Sequence, residues 1–181
     1  MKLKLTIGLL LLLPIMLVQA QNSNSNSTKS YYGFKIGSDV TSDTRNYSQI
    51  TEQFNGNLQV GAFARFGEKF FFQPEAYFHN YKLDSNESLS YFRAPLMLGM
   101  RLINLGIVTA HVNVGPAYSK QLGSDNEGGF SWQIGVGGDV LGFLTTDIRY
   151  TIPNGKDMNG AIEDLIAKGG MLNFTVGIKL K

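Results

Sequence analysis

The chain has 181 residues, no Cys, 21 Gly, 43% hydrophobic and only 17% charged residues, which excludes a disordered chain and a disulfide-stapled scaffold and fits a turn-rich β protein. Lys and Arg number 16 against 14 Asp and Glu, but Lys2 and Lys4 fall in a leader, so the mature chain is neutral at 14 against 14. A protein that neutralises phosphates needs a basic face, and nucleic acid is therefore set aside as a partner.

Residues 1–20 carry Lys2 and Lys4, then an apolar run from Leu5 to Val18, then Val18-Gln19-Ala20. This is the pattern of a signal peptide cleaved after Ala20; the run is too short for the roughly 20 apolar residues of a membrane span. No Cys follows, so no lipoprotein anchor is expected. Residues 21–30 repeat Asn-Ser and have nothing to bury, which predicts a solvated periplasmic tether.

Residues 31–181 hold eight segments of period two. In chain order their apolar faces begin with Tyr32, Phe34 and Ile36; Leu58 to Phe66; Phe70 to Phe78; and Phe92 to Met100. They continue with Val108 to Tyr118; Phe130 to Val140; Leu144, Ile148 and Tyr150; and Leu172 to Leu180. None of these alternating positions is charged. The opposite faces mix glycines with long polar residues: Lys35, Gln59, Arg65, Gln73, Glu75, His79, Arg93, Arg101, His111, Asn113, Gln133, Asp139, Asp147, Arg149, Asn173 and Lys179.

Two barrels fit this alternation. With the apolar face inward the product is a soluble periplasmic ligand-binding barrel; with it outward, a transmembrane barrel. Volume favours the second, because eight strands enclose only enough room for their own side chains and nearly a dozen inward rings would overpack it. The expected fold is an all-β, eight-stranded antiparallel up-and-down barrel. Symmetric pairing about the short turns places Glu75 opposite Gly61, Asp147 opposite Gly137 and Arg149 opposite Gly135.

The connections alternate as they do in outer-membrane barrels. Short turns fall at 67–69, 102–106 and 141–143, and long loops at 39–56, 80–90, 120–129 and 153–170, which puts both termini in the periplasm. Strand lengths of about nine to eleven residues match a tilted crossing. Pro74 and Pro116 cannot donate to a ladder, so bulges or local widening are expected there. Phe66, Phe70, Phe72, Phe78, Phe92, Tyr118, Phe130, Trp132, Tyr150 and Phe174 lie where an aromatic girdle belongs.

The chain at this point resembles the PorT-like outer-membrane β-barrel proteins of Bacteroidetes. The resemblance rests on Phe72-Gln73-Pro74-Glu75-Ala76-Tyr77, Tyr91-Phe92-Arg93-Ala94-Pro95-Leu96, Val114-Gly115-Pro116, Gly135-Val136-Gly137-Gly138-Asp139 and Thr146-Asp147-Ile148-Arg149-Tyr150, in that order. The chain departs from the family pattern at Arg93-Ala94-Pro95 and in ending on Lys179-Leu180-Lys181 rather than on an aromatic. The resemblance implies an integral outer-membrane barrel, most of whose relatives have no assigned activity.

Chemistry-bearing residues are sparse. His79 and His111 stand on different strands, too few and too far apart for a metal site, and no cofactor is expected. Gly135-Val136-Gly137-Gly138 opens no helix and reads as packing. A rim enzyme acting on lipid or peptide would draw on His79, Asp84 and Ser85 or Ser88, without a defined nucleophile setting. Arg65, Glu75, Arg93, Arg101, Asp147 and Arg149 read as a structural lumen charge network, because unpaired charges inside a narrow barrel are costly. The expected function is non-enzymatic: structure, adhesion or partner binding through four external loops, with outer-membrane lipid around the barrel and an external protein or surface partner at loops 39–56 and 153–170. In the last loop, Ala161 to Lys168 has helical spacing and would serve either as a docking surface or as a lid.

Overall fold

The computed structural model describes residues 30–41, 56–82, 88–123, 128–152 and 170–180. They form eight strands: β1 (Ser30–Thr41), β2 (Leu58–Phe66), β3 (Phe70–Lys82), β4 (Ser88–Asn104), β5 (Val108–Gln121), β6 (Gly129–Val140), β7 (Leu144–Ile152) and β8 (Met171–Leu180). Each strand pairs antiparallel with its sequence neighbours, and β1 pairs with β8 from Tyr32↔Leu180 to Thr41↔Met171, so the sheet closes on itself. Closure leaves no edge strand to template aggregation. The leader, the tether up to Lys29, and residues 42–55, 83–87, 124–127 and 153–169 lie outside the described residues, and with them Asp84, Ser85 and the last-loop helix expected at Ala161 to Lys168.

The faces sort by polarity as alternation dictates. Phe34 and Ile36 are each 61% exposed, Leu98 is 62% and Val136 is 56% exposed on the outside. Their neighbours on the inside, Lys35, Arg65, Gln73, Glu75, Arg93, His111, Asn113, Asp147 and Arg149, are buried. This burial pattern is the reverse of a soluble domain, where exposed large apolar residues are scattered and buried charges are rare. The soluble reading with an apolar interior is therefore not the arrangement the chain adopts.

The lumen nevertheless holds rings that the alternating apolar faces did not include: Phe63, Phe71, Tyr77 and Tyr91 all point inward and are buried. Each needs space, and glycine supplies most of it. A Cβ at Gly61 would strike the Tyr77 ring, one at Gly99 the Phe71 ring, and one at Gly33 the Phe63 ring. The same complementarity sets Gly135 beside Arg149, Gly137 beside Asp147 and Gly177 beside Lys35. Small opposite large across neighbouring strands is how a narrow barrel fills without overpacking.

Register agrees with symmetric pairing at Gly137↔Asp147 and Gly135↔Arg149. It differs at the first hairpin, where Gly61 pairs with Tyr77 and Glu75 with Phe63. That turn is centred on Lys69 rather than Glu68, as the pair Phe66↔Phe72 requires, a slide of two residues that keeps the same face of β3 inward; Phe71, on that face, lies over Gly99. The prolines interrupt pairing without moving it. The β2–β3 ladder has a gap beside Pro74 and the β4–β5 ladder a gap beside Pro116, and both resume in the same register. The register shift in β4–β5 lies instead between Arg101 and Ile103. Several strands exceed the expected length, with β3 at 13, β4 at 17 and β5 at 14 residues. The β4–β5 turn accordingly narrows to Leu105-Gly106-Ile107, at the end of the 102–106 segment expected for it.

The packed lumen makes a sharp prediction at Gly115, where a Cβ would meet the Leu96 carbonyl and the Met97 Cα. Gly115→Trp will fail to give the compact, heat-modifiable band that a closed barrel shows on unboiled gels, whereas Val114→Trp, one residue along and 46% exposed on the outside, will give it.

Candidate functional site

The inside of the barrel is where the chain concentrates its chemistry. Three clusters lie along it, from the short-turn end to the loop end.

At the turn end, Asp139 of β6 accepts from Arg65 Nη1 at 3.0 and 3.2 Å and from the Tyr31 hydroxyl at 3.3 Å, with Lys179 Nζ 3.4 Å away. Arg65 also donates to Gln73 and lies over the Phe71 ring, 4.5 Å from its centroid. Arg101 meets backbone and phenol oxygens. It donates to the Gly67 carbonyl at 3.1 Å, to the Glu68 carbonyl, and to Tyr31 at 3.0 Å, tying the first turn to β4.

At mid-height, Lys35 of β1 bridges Glu75 at 2.7 Å and Asp147 at 2.6 Å. Arg149 grips Glu75 through both terminal nitrogens and approaches Asp147 at 3.4 Å. His111 at 3.1 Å and Asn113 at 2.9 Å complete the shell of Asp147, and Gln73 donates to Glu75. Two cations face two carboxylates, supplied by β1, β3 and β7, three strands that touch only through the lumen or around the wall.

At the loop end, Asp39 gathers His79 Nδ1 at 3.0 Å, Arg93 Nη1 at 3.5 Å, the Tyr91 hydroxyl at 2.6 Å and Asn173 Nδ2. Tyr91 stacks on His79 with centroids 4.3 Å apart and accepts from Arg93 at 3.1 Å. Beside it, Gln133, Thr151 and Asn173 bond to one another at 2.9 to 3.1 Å.

These clusters place the six charges expected in the lumen as follows. Glu75, Asp147 and Arg149 meet in one group; Arg65 and Arg101 lie below it and Arg93 above it. Lys35, Asp139 and Lys179 stood on the polar face in the sequence without being assigned to the network. Asp39 was assigned to the first loop, although it continues the inward parity of Lys35 and Gly37, and β1 carries it into the barrel. Among the described residues, no three side chains of metal-binding type converge. His79 and His111 sit in different clusters, each on its own aspartate. His79 is only 2% exposed, paired with Asp39 and stacked on Tyr91.

The interior is close to full. The cavity between the middle and upper clusters, lined by Gln59, Tyr77, Arg93, Gln133, Arg149 and Thr175 among others, measures about 10 Å³, the room of about one water molecule.

All ten residues expected in the aromatic girdle point outward, and none is buried. Phe66, Phe70 and Phe72 lie at the short-turn end. Phe78 and Phe92 are cross-strand partners toward the loops, as are Tyr118 and Phe130, whose centroids are 5.1 Å apart. Trp132, Tyr150 and Phe174 complete that half. Tyr32, 54% exposed at the turn end of β1, belongs to the same surface.

No family model matches the chain, and no curated protein matches it. Among solved structures, the N-terminal β-barrel domain of Pseudomonas aeruginosa OprF aligns with a TM-score of 0.51 at 11% identity, covering 84% of this chain and 98% of that one. At that identity the likeness is one of fold alone: both chains form a β-barrel.

Removing one member of a buried ion cluster strands its partners. Glu75→Ala, which leaves Lys35 and Arg149 facing a single carboxylate, will cost about 3–5 kcal/mol in denaturant titrations of the refolded protein. Arg101→Met, whose donors meet turn carbonyls and Tyr31 at the mouth, will cost about 1 kcal/mol in the same assay. Equal losses would contradict the clustering.

Proposed function

We propose that the protein is an integral outer-membrane barrel of the PorT-like type, without catalytic activity, that serves structure, adhesion or partner binding through its external loops. The observation that carries this reading is the outer surface. Around the whole barrel the outward positions of the strands present aliphatic and aromatic side chains at roughly half exposure, while the charges are paired inside. Water solvates such a surface poorly and a bilayer solvates it well, and a closed barrel is one of two backbone designs that satisfy every hydrogen bond in lipid. The assignment to the PorT-like group rests on the order of its five sequence motifs.

In this reading the leader 1–20 is removed after Ala20, residues 21–30 tether the barrel on the periplasmic side, and the short turns face the periplasm. The connections between β1 and β2 and between β7 and β8 are the longest and are the contact surface offered to an external protein or surface. No nucleic acid and no cofactor enter the account.

Cell fractionation tests the reading. The mature protein will remain with outer membranes through salt and carbonate washes and come out only in detergent. Protease added to intact cells will cut between β1 and β2 or between β7 and β8 and spare 67–69. Recovery in the soluble periplasm would overturn the membrane placement, and first cleavage at 67–69 would invert the topology.

A further inference from the structure

The three short turns are not alike. The β2–β3 turn is Gly67-Glu68-Lys69, with charged residues at its tip as befits a turn in water. The β4–β5 turn is Leu105-Gly106-Ile107 and the β6–β7 turn Leu141-Gly142-Phe143. Their large side chains are fully displayed: Leu105 is 73% exposed, Ile107 66%, Leu141 60% and Phe143 48%. Leu102 and Ile103, at the shifted register of β4, add 55% and 54%.

The two apolar turns form one surface. Leu141 N donates to the Ile107 carbonyl at 2.8 Å, joining them across β5 and β6. No charge occurs from Leu102 to Thr109 or from Val140 to Thr146. The polar side chain at the tip is turned back on its own turn, for Asn104 Oδ1 accepts from Gly106 N at 3.0 Å and from Thr109 Oγ1 at 3.4 Å. Leu141 holds its place at a φ of 53°, a left-handed conformation that Asn or Gly adopts more cheaply. A leucine at such a position is costly unless its side chain is wanted outside.

We propose that this pair of turns is a lipid-binding surface, immersed in the inner headgroup and acyl boundary of the membrane, so that the barrel sits with its β4–β7 side deeper than its β2–β3 side. The inference rests on the membrane placement proposed above. Lipid is the occupant because the patch runs unbroken into the outward apolar face through Met100, Val108, Val140 and Leu144, and because its residues carry no charge with which to specify a protein. Exposed apolar patches of this size on a water-facing surface are otherwise rare. Aliphatic and aromatic side chains at the headgroup boundary are the usual means of holding a segment at that depth.

The test places single tryptophans in vesicles whose acyl chains carry bromine, a short-range quencher. Wild-type protein reports through Trp132 on the outer face. In a Trp132→Phe background, Leu105→Trp and Phe143→Trp report on the two apolar turns and Glu68→Trp on the charged one. Quenching at positions 105 and 143 comparable to that of Trp132, with little at 68, is the expected result. Quenching of Trp132 alone would overturn the inference and leave the membrane placement intact, whereas an unquenched Trp132 would remove both.

Because the chain contains no cysteine, Leu105→Cys and Glu68→Cys give a second reading with a water-soluble maleimide in unlabelled vesicles. Position 105 will react about tenfold or more slowly than position 68, since thiolate formation and reagent access both need water. Equal rates would overturn the inference. So would protection that vanishes on dilution of protein in lipid, which would mark a second copy as the occupant.

Discussion

Everything in this molecule hangs on the group of four charges at mid-height, Lys35 and Arg149 against Glu75 and Asp147, buried in the lumen. Charges desolvated this deeply are tolerable only when each sign is matched and the remaining donors and acceptors are occupied. The cluster meets that condition by borrowing from strands far apart around the wall. β1 gives the lysine, β3 the glutamate, and β7 both the aspartate and the second cation, while β5 contributes His111 and Asn113. Lys35–Asp147 and Arg149–Glu75 join β1 and β3 to β7, which come within reach of one another only when the sheet is closed. Pairing therefore demands closure, and closure in turn leaves every opposite face looking outward.

The wall has to yield space for so many long side chains, and the glycines provide it. Residues with bulk and residues without it alternate across the ladders, so that Arg149 lies over Gly135, Asp147 over Gly137 and Lys35 beside Gly177. Register and charge placement are in this way the same constraint. A slip by one residue in any strand would bury its apolar set and expose its charges. The interruptions at Pro74 and Pro116 cost ladder bonds locally without moving the register, because the side chains on either side of each gap are already committed to one face.

Much of this was legible in the sequence, and the reason is physical. Period two with an uncharged face fixes which side of each strand goes where, and the alternation of short and long connections fixes the order of neighbours; the strands, their closure and the orientation of the faces follow. Details set by side-chain volume were less legible. The symmetric turn assumed at Glu68 put Gly61 opposite Glu75, whereas the ladder centres the turn on Lys69 and sets Tyr77 opposite Gly61, where a Cβ would strike its ring. Asp39 looked like the first residue of a loop because polar residues follow it. Only the partners waiting on β3, β4 and β8, His79, Arg93, Tyr91 and Asn173, extend β1 to include it. Such contacts join residues up to 134 positions apart, and no local pattern announces them.

The central claim, that matched charge in the lumen holds the barrel together, is tested most directly by a double-mutant cycle across the middle cluster. Glu75→Gln and Arg149→Met are made singly and together, and unfolding free energies are measured in the same lipid or detergent. Each single change leaves an odd charge, whereas the double variant leaves Lys35 and Asp147 as a matched pair 2.6 Å apart. The account predicts that the double variant is more stable than Glu75→Gln alone, with a coupling on the order of 2 kcal/mol or more. Strictly additive losses would contradict it.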